Sequence, residues 1–344
     1  MSQPTEQPSG RPAGRAVPTS ADVARLAGVS RATVSYVLNN TSAVRISEPT
    51  RRRVREAAEE LGYVPHAAAR SLRAGHSRMV LLPTPHVQVG PLYSQFFNEF
   101  QWALRRLDYT VVQYGSVGLE AEEAARAWAE LRPVAVVALG ESRLTGQGVE
   151  ILKRSGARAV ITLGTEKVEG AHALVMDQGR VGEAATAHLV ETGRRRIGVV
   201  VPEEPGLAMF SGPRLEGARR AVAGTGATVV PLPLRYEEES ANALAARWRA
   251  LDLDGVFAYN DEYAMLLMRA LQDAGVAVPA ETAVVGADDL LLGRLLRPRL
   301  STVRIDMVIG RELAELVDRA VREPEAPPRT SDLMASRVVR RESS

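Results

Sequence analysis

The sequence of 344 residues contains no cysteine. This absence excludes disulfide bonds, thiolate metal sites and thiol nucleophiles together, and it suits a reducing compartment. Histidine is scarce as well: the five histidines show no H-E-x-x-H spacing and no nearby pair of carboxylates. We therefore expect no metal site, no cofactor and a cytoplasmic location.

Long hydrophobic runs are also missing. The longest, such as VAVVAL at 134–139 and IGVVV at 197–201, are far shorter than the ~20 apolar residues that span a bilayer. The first residues, MSQPTEQPSGRPAGRAVP, are rich in proline, glycine and serine and have no apolar segment of the kind found in signal peptides. The sequence predicts a disordered tail over 1–17 and no membrane partner.

Lysine is absent from residues 1–78, which hold twelve arginines and six carboxylates. The net charge of this segment is +6, so the remaining residues carry −4 within the total of +2. Concentrated basic charge is the electrostatic footprint of nucleic-acid binding, although such a run is often only a solvated surface. The chain is also longer than the ~250–300 residues that one hydrophobic core usually serves, so more than one domain is expected.

Residues 18–64 have the pattern of three short helices. Thr19 and Asp22 can form a capping box for a first helix over 20–27, and Gly28 can end it because glycine tolerates a positive φ. The apolar face predicted for this helix consists of Val23, Leu26 and Ala27.

A second helix follows after a tight turn, with Ser30 as its N-cap. Its inner face is predicted to hold Val34, Val37 and Leu38, and its outer face Arg31, Ala32, Ser35 and Tyr36. The third helix starts at Ser47 and closes the core with Val54, Ala57, Ala58 and Leu61. In a helix-turn-helix unit, the outer face of the second helix reaches the base edges of DNA.

Two segments, DVARLAGVSRATVSYVLNN at 22–40 and RRRVREAAEELGYVPHAAARSLRAG at 51–75, resemble the LacI/GalR family of bacterial transcription regulators. The resemblance implies an all-α helix-turn-helix headpiece whose base-reading residues are Arg31, Ala32 and Tyr36. It places at the DNA backbone Thr19, Ser30, Thr33, Ser35 and Asn39. Capping or surface solvation is the alternative role for these small polar residues. Tyr36 stands where many family members carry arginine, and tyrosine cannot grip guanine bidentately as arginine does.

Residues 65–77 are predicted to be a hinge. The alanine-rich stretch 66–74 can be helical but is too short to be a stable helix alone, so it should order only on DNA. By the resemblance, two hinges pair at the dimer axis and enter the minor groove through Ala69, Arg70, Leu72 and Arg73. The alternative is a flexible linker.

From residue 78 onward, short β-rich runs alternate with amphipathic helices, which is the pattern of βαβ units and parallel sheets. The helices are predicted at 94–107, 120–131, 147–155, 180–192, 214–223, 240–250 and 261–274. There are enough strands for two doubly wound parallel-sheet lobes that enclose a cleft. Ligands of such sheets bind beyond the carboxyl ends of the strands, here just after the runs VVV, FAY and VVG.

The resemblance extends more loosely over 78–344 and implies a periplasmic-binding-protein-like domain for effector binding and dimerisation. Its landmarks are D-x-x-x-x-G at 177–182, R-x-x-G at 214–217, ND at 260–261, GADD at 286–289 and RPRLSTV at 297–303. It implies an N-lobe of about 78–176 and 305–331, and a C-lobe of about 177–304 and 332–344.

The same likeness assigns a polar effector to Arg214, Tyr236, Asn260 and Asp288. A guanidinium, an amide and a carboxylate can grip several hydroxyls of a sugar-like molecule, and a tyrosine ring can stack on it. A surface salt bridge is the alternative role of Arg214, and we expect Asp261 to be the N-cap of its helix. In the N-lobe, Gly164 stands where many relatives carry an acidic ligand contact.

Together these features predict a nucleoid-associated repressor that binds a palindromic DNA operator as a homodimer under the control of a small effector. A regulator with a degenerate pocket, controlled by a protein partner, is the main alternative. A periplasmic sugar-binding protein would need an export signal and would lack the headpiece. We do not expect an enzyme, because G-x-G-x-x-G and G-x-x-x-x-G-K-[ST] are both absent and Asp288-Asp289 has no catalytic partner in sequence.

Overall fold

The computed structural model describes ten segments of the chain. These are 17–39, 44–64, 77–84, 90–115, 118–139, 144–165, 167–204, 206–307, 310–332 and 334–344. The chain divides into two units, Met1–Ser77 and Arg78–Ser344. Most of the predicted tail and of the predicted hinge lies outside the described residues.

The first unit contains the three predicted helices, α1 (Ser20–Ala27), α2 (Arg31–Leu38) and α3 (Glu48–Glu60). The capping box of Thr19 and Asp22 is confirmed, and Gly28 ends α1 with a φ of 63°. The buried side of α1 runs through Val23, Ala24 and Ala27. The inward placement of Leu26 was wrong: this arrangement turns Leu26 outward, and it is 47% exposed.

The second unit holds two six-stranded sheets. The N-lobe sheet has the order β11-β5-β4-β3-β1-β2. Its strands are β1 (Met79–Thr84), β2 (Thr110–Gly115), β3 (Ala135–Leu139), β4 (Ala159–Gly164), β5 (His172–Val175) and β11 (Thr330–Asp332). The C-lobe sheet has the order β12-β10-β9-β8-β6-β7. Its strands are β6 (Arg196–Pro202), β7 (Thr228–Leu234), β8 (Gly255–Phe257), β9 (Ala283–Ala287), β10 (Ser301–Met307) and β12 (Met334–Val339).

The strands pair in parallel, except that β12 runs antiparallel to β10. The helices that cover the sheets are α4 (Pro91–Arg106), α5 (Ala121–Glu130), α6 (Gly146–Arg154), α7 (Gln178–Glu191), α8 (Ala208–Val222), α9 (Glu238–Ala246), α10 (Trp248–Leu251), α11 (Asp261–Asp273) and α12 (Gly310–Arg322). The predicted α/β architecture is therefore confirmed. Among the described helices, none has the length and apolar character needed to cross a bilayer.

The helix expected at 94–107 begins at Pro91, and two other helices differ more from the prediction. The helix expected at 214–223 begins at Ala208, because Phe210 and Ser211 are buried and add a further turn before Pro213. The helix expected over 240–250 is two helices, α9 and α10, separated at Arg247.

The chain passes between the lobes three times: before α7, around α12 and between β11 and β12. A single hydrophobic core cluster contains side chains from both lobes, such as Phe100 of α4 and Phe257 of β8. A second cluster around Trp128 covers the other face of the N-lobe sheet. The last strand of each sheet thus comes from the C-terminal part of the chain.

Helices α7 and α8 cross in backbone contact. A Cβ atom on Gly182 would lie 1.8 Å from the carbonyl oxygen of Arg214, and one on Gly217 would lie 1.9 Å from that of Gly179. Only glycine fits at such distances. This crossing explains why D-x-x-x-x-G and R-x-x-G occur as spaced pairs, and it fixes the backbone of Arg214 against α7.

Candidate functional site

The headpiece presents Arg31, Ala32 and Tyr36 on one exposed face of α2. Tyr36 is 38% exposed, although it is a large aromatic residue. The opposite face buries Val34 and Val37 in the headpiece core. The three residues assigned to base reading therefore share a surface that a groove of DNA could meet.

Of the small polar residues assigned to the DNA backbone, most lie at helix ends, and Ser35 lies in the middle of α2. The Ser30 hydroxyl accepts a hydrogen bond from the Thr33 amide at 3.1 Å and lies 2.9 Å from the Thr33 hydroxyl. Asn39 donates its side-chain amide to the Ser35 hydroxyl at 3.0 Å. Thr19 caps α1. Capping is thus an observed role for Thr19 and Ser30, and it places both at helix N-termini, where phosphate groups are favoured.

Arg25 pairs with Asp22 at 2.8 Å, whereas two arginines of α3 are weakly engaged. Arg52 and Arg55 approach Glu56 and Glu48 only to 3.8 Å, on exposed surface where such pairs contribute little. Among the described residues, Arg31 has no ion pair. The hinge residues Ala69, Arg70, Leu72 and Arg73 lie outside the described residues.

The second site lies at the carboxyl ends of the C-lobe strands. Arg214 is buried, with 3% of its surface exposed, so its alternative role in a surface salt bridge was wrong. Its Nε and Nη2 atoms donate to Gln178 Oε1 at 3.0 and 2.8 Å, and Nη1 donates to the carbonyl oxygen of Tyr259 at 2.7 Å. The guanidinium also lies 4.8 Å from the centre of the Tyr259 ring. These contacts hold a positive charge rigidly at the bottom of the cleft.

Asp288 follows β9 with a φ of 101°, a backbone conformation that costs a non-glycine residue energy. Its Oδ1 atom is buried and has no hydrogen-bond partner among the described residues. Burial raises the pKa of Asp288; the charge of Arg214 lowers that pKa and the charge of Glu262 raises it. A strained backbone and an unsatisfied buried oxygen are the marks of a site built to accept a ligand group.

Asn260, and not Asp261 as predicted, is the residue that caps α11. Asn260 is the N-cap of α11 and accepts the Tyr263 amide at 3.0 Å. Asp261, expected to be that cap, instead accepts the Thr302 hydroxyl at 2.6 Å and the Leu290 amide at 2.7 Å. Burial raises the pKa of Asp261 to about 7. It therefore fastens the loop after Asp288 to α11, while the side chain of Asn260 stays at the cleft.

A cluster of tyrosines forms one wall. Tyr236 is 51% exposed, and its ring centre lies 5.2 Å from that of Tyr263. The Tyr263 ring meets that of Tyr259 edge to face at 5.3 Å. Glu204, two residues after β6, accepts the Tyr263 hydroxyl and the Tyr236 amide. Tyr236 thus offers an exposed aromatic face that its neighbours hold in place.

The N-lobe reaches this site through Tyr93. Tyr93, on α4, accepts the Nε2 group of Gln178 at 2.8 Å through its hydroxyl, and its ring lies 5.3 Å from that of Phe210. Because Gln178 also binds Arg214, its amide joins the two lobes through one hydrogen-bonded chain.

Sequence reasoning assigned Arg214, Tyr236, Asn260 and Asp288 to this cleft. The structure links Arg214, Asp288 and Glu262 electrostatically, with Asn260 beside Glu262 at 3.5 Å. It adds residues that were not singled out: Tyr93, Gln178, Glu204, Tyr259, Glu262 and Tyr263. For Glu204 and Tyr259 the signal was present, since each comes two residues after the end of a strand, at the carboxyl edge of the sheet.

Comparison with known proteins gives two family matches. The description "Bacterial regulatory proteins, lacI family" fits residues 19–66, and "Periplasmic binding protein-like domain" fits residues 186–344. The HTH-type transcriptional regulator GntR of Pseudomonas aeruginosa is 32% identical over 308 residues, which is 87% of this chain and 88% of that protein. The HTH-type transcriptional regulator CelR of Thermobifida fusca is 31% identical over 327 residues, which is 91% of this chain and 94% of that protein.

Solved structures agree. A complex of the transcriptional regulator CelR with cellobiose matches this chain with a TM-score of 0.63 at 27% identity. The match covers 95% of this chain and 100% of the CelR chain. The lac repressor dimer bound to operator and the anti-inducer ONPF has a TM-score of 0.74, covers 94% of this chain and 98% of its own, and at 22% identity shows the shared fold.

Proposed function

Because the chain belongs to the LacI family of bacterial transcription regulators, we propose that it binds a palindromic operator as a homodimer and that a small, sugar-like effector in the C-lobe cleft controls this binding. It acts on the nucleoid, in the cytoplasm, most simply as a repressor, and we assign it no catalytic step. The observation that carries the effector part is the unsatisfied, buried Asp288 beside the fixed guanidinium of Arg214.

The DNA part of the proposal rests on the headpiece. Arg31 projects from the first turn of α2 without an ion pair among the described residues, beside exposed Ala32 and Tyr36. A guanidinium in this position can reach two acceptors of guanine. Thr19 and Ser30 lie at the helix N-termini that would approach phosphate groups. For the hinge, we propose that the pair of Leu72 side chains enters the minor groove at the operator centre.

The effector part rests on polar groups whose hydrogen-bonding capacity the described residues do not use fully. Asp288 Oδ1 can accept a ligand hydroxyl, Asn260 adds an amide, and Tyr236 offers its exposed ring to the apolar face of a sugar. The solved structure of a relative carries cellobiose. The alternative is a regulator that has a degenerate pocket and is controlled by a protein partner. In such a pocket the strained backbone and the unsatisfied oxygen of Asp288 would cost free energy without serving a ligand.

The dimer part rests on exposed apolar surface. A groove of 920 Å³ lies along α4 and α12, and Trp102 in its lining is 68% exposed. On the C-lobe, Leu291, Leu292 and Leu295 are 58–69% exposed in and next to a short 3-10 helix. Surfaces of this kind mark interaction sites, and the occupant we propose is a second copy of this chain, as in the lac repressor dimer.

Selection of bound fragments from random DNA tests the proposal. We expect a palindromic site whose affinity falls steeply with salt concentration, because arginines of both headpieces displace counterions from phosphates. Addition of the physiological effector should then change operator affinity by about tenfold or more. A non-palindromic site, or a salt dependence near zero, would contradict the proposed homodimeric operator binding.

A further inference from the structure

The C-lobe cleft contains more negative charge than a neutral sugar requires. Burial raises the pKa of Tyr259 and the positive charge of Arg214 lowers it. Three nearby carboxylates raise this pKa further: Asp288, Glu204 and Glu262. Glu204 is satisfied by its two hydrogen bonds from Tyr263 and Tyr236. Glu262 and Asp288 are not satisfied in this way.

Glu262 is half-buried and has few partners among the described residues. There it accepts a single long hydrogen bond of 3.5 Å, from Asn260, and no described lysine, arginine or histidine lies within ion-pair distance of it. Its Oε2 atom lies 3.4 Å from where a Cβ of Gly90 would be, at the N-terminus of α4. The partial positive charge of that helix end compensates the carboxylate only in part.

Asp288 supplies an independent observation at the same place. Its Oδ1 atom is fully buried without a partner among the described residues, and its carboxylate is close enough to Glu262 for the two charges to repel each other. Arg214 cannot satisfy this atom in the present arrangement, because its hydrogen bonds go to Gln178 and to the Tyr259 carbonyl. The buried Oδ1 atom of Asp288 is therefore an acceptor for which the described residues provide no donor.

Aromatic rings surround the same space. The ring of Tyr236 is half exposed and lies within reach of the Glu262 charge, next to Tyr263 and Tyr259. Tyrosine rings beside carboxylates are the surroundings in which proteins bind ammonium groups, since both attract positive charge. A neutral hydroxyl group would satisfy one acceptor but would leave the excess negative charge unbalanced.

We propose that the effector of this cleft carries a protonated amine in addition to its hydroxyl groups, and that Glu262 and Asp288 bind this amine against the ring of Tyr236. This inference rests on the proposed function and specifies the chemical class of the effector: an amino sugar or a small polyhydroxylated amine.

Matched ligand pairs test it. The full-length protein is titrated in a calorimeter with three pairs of compounds, each an amine and its neutral counterpart. The pairs are glucosamine with glucose, galactosamine with galactose, and the deacetylated diamino form of chitobiose with cellobiose. Because a charge-assisted hydrogen bond is roughly twice as strong as a neutral one, we expect the best amine to bind at least about tenfold more tightly than its neutral counterpart. Glu262→Gln should reduce this preference to about twofold or less, since the amide keeps the shape and removes the charge.

Glu216→Gln is the matched control, because Glu216 is exposed on α8 and paired with Arg219. This variant changes the net charge equally and should keep the amine preference. Equal binding of both members of each pair would mean that other groups of the chain already compensate the negative charge of Glu262. This result would overturn the inference and would leave the proposal of a sugar-like effector in place. An amine preference that survives Glu262→Gln would also overturn it. Failure of every compound to bind would overturn the proposed sugar-like effector together with this inference.

Discussion

Arg214 lies close enough to Asp288 to lower the pKa of its carboxyl group, yet the two side chains form no hydrogen bond with each other. The guanidinium is instead fixed by Gln178 and by the carbonyl of Tyr259. The pair is therefore organised before a ligand arrives: the guanidinium of Arg214 is held in place, and Oδ1 of Asp288 has no hydrogen-bond partner among the described residues. Preorganised polar groups of this kind bind a ligand without the cost of rearranging themselves.

Asp288→Asn should weaken the response to the effector by at least about tenfold, because hydrogen bonds to a charged acceptor contribute ~1.5–3 kcal/mol. Operator binding by the unliganded protein should stay the same. The measurement is operator affinity by fluorescence anisotropy with increasing effector. Asp252→Asn is the control, since Asp252 also has a positive φ, of 54°, but is exposed. A normal effector response in Asp288→Asn would remove this residue from the site.

Arg31→Ala should flatten the preference for one base pair in each operator half-site. A bidentate contact from arginine to guanine contributes about 1–3 kcal/mol of discrimination, and Arg31 is free of ion pairs among the described residues. Binding to a library of single-base operator variants measures this. If affinity fell equally on operator and random DNA, Arg31 would be a phosphate contact instead.

Gly217→Ala should destabilise the protein by about 3 kcal/mol or more, because the new methyl group would collide with the carbonyl of Gly179 across the helix crossing. Gly212→Ala, on the same helix, is the matched control: its Cβ would have nothing within 4 Å. That substitution should leave stability unchanged or raise it by up to about 1 kcal/mol. Urea unfolding of both variants gives the comparison, and equal stabilities would show that the crossing can relax.

The raised pKa of Asp261 predicts a pH dependence. Folding holds the proton of this carboxyl up to about pH 7, whereas the unfolded chain releases it near pH 4, so its contribution to stability decreases as pH rises between these values. Asp261→Asn should remove this decrease. Relative to the parent, the free energy of unfolding of this variant should therefore increase by on the order of 2–4 kcal/mol between pH 4 and pH 7.

Asp306 provides a control of opposite sign. Hydrogen bonding to Arg304 lowers the pKa of Asp306, so its stabilising effect is present at neutral pH and is lost as pH falls. Asp306→Asn should therefore lose stability relative to the parent as pH rises. Unfolding free energies measured across this range would contradict the assignment if both variants showed the same trend.

Trp102→Glu should weaken dimerisation by about 2 kcal/mol or more, because large aromatic residues dominate the binding energy of interfaces. Trp102 is 68% exposed in the single chain, so its substitution should not disturb the fold. Leu131→Glu serves as a control on exposed apolar surface outside the groove, since Leu131 is 38% exposed at the end of α5. Sedimentation at several concentrations distinguishes the two, and an unchanged dimer in Trp102→Glu would exclude this face.

The sequence was most informative where local chemistry decides the structure. Thr19, Ser30 and Gly28 mark helix ends because capping is a contact between near neighbours; α1 has the predicted bounds, and α2 begins directly after its predicted cap, Ser30. The βαβ alternation likewise depends on periodicity within each element. The position of the cleft followed from the rule that ligands bind at strand ends.

Features that depend on distant contacts could not be found in this way. The cap of α11 was assigned to Asp261 instead of Asn260 because Asp261 is bound by Thr302 and Leu290, which are far along the chain. Gln178 was missed because its importance comes from Tyr93 and Arg214, on two other helices. The early start of α8 likewise depends on the burial of Phe210 against Tyr93.

The order in which the chain is synthesised conflicts with the way its lobes are completed. Helix α12 covers α4 in the N-lobe, where Gly310 contacts the backbone of Phe100, and β11 and β12 form the outer edge of one sheet each. All three come from residues 310–339. A growing polypeptide that leaves the ribosome N-terminus first therefore holds two unfinished sheets and the uncovered aromatic side of α4 until these residues emerge. Ribosome-bound chains of this regulator should consequently recruit chaperones for almost the whole of translation, and truncations before residue 310 should be insoluble.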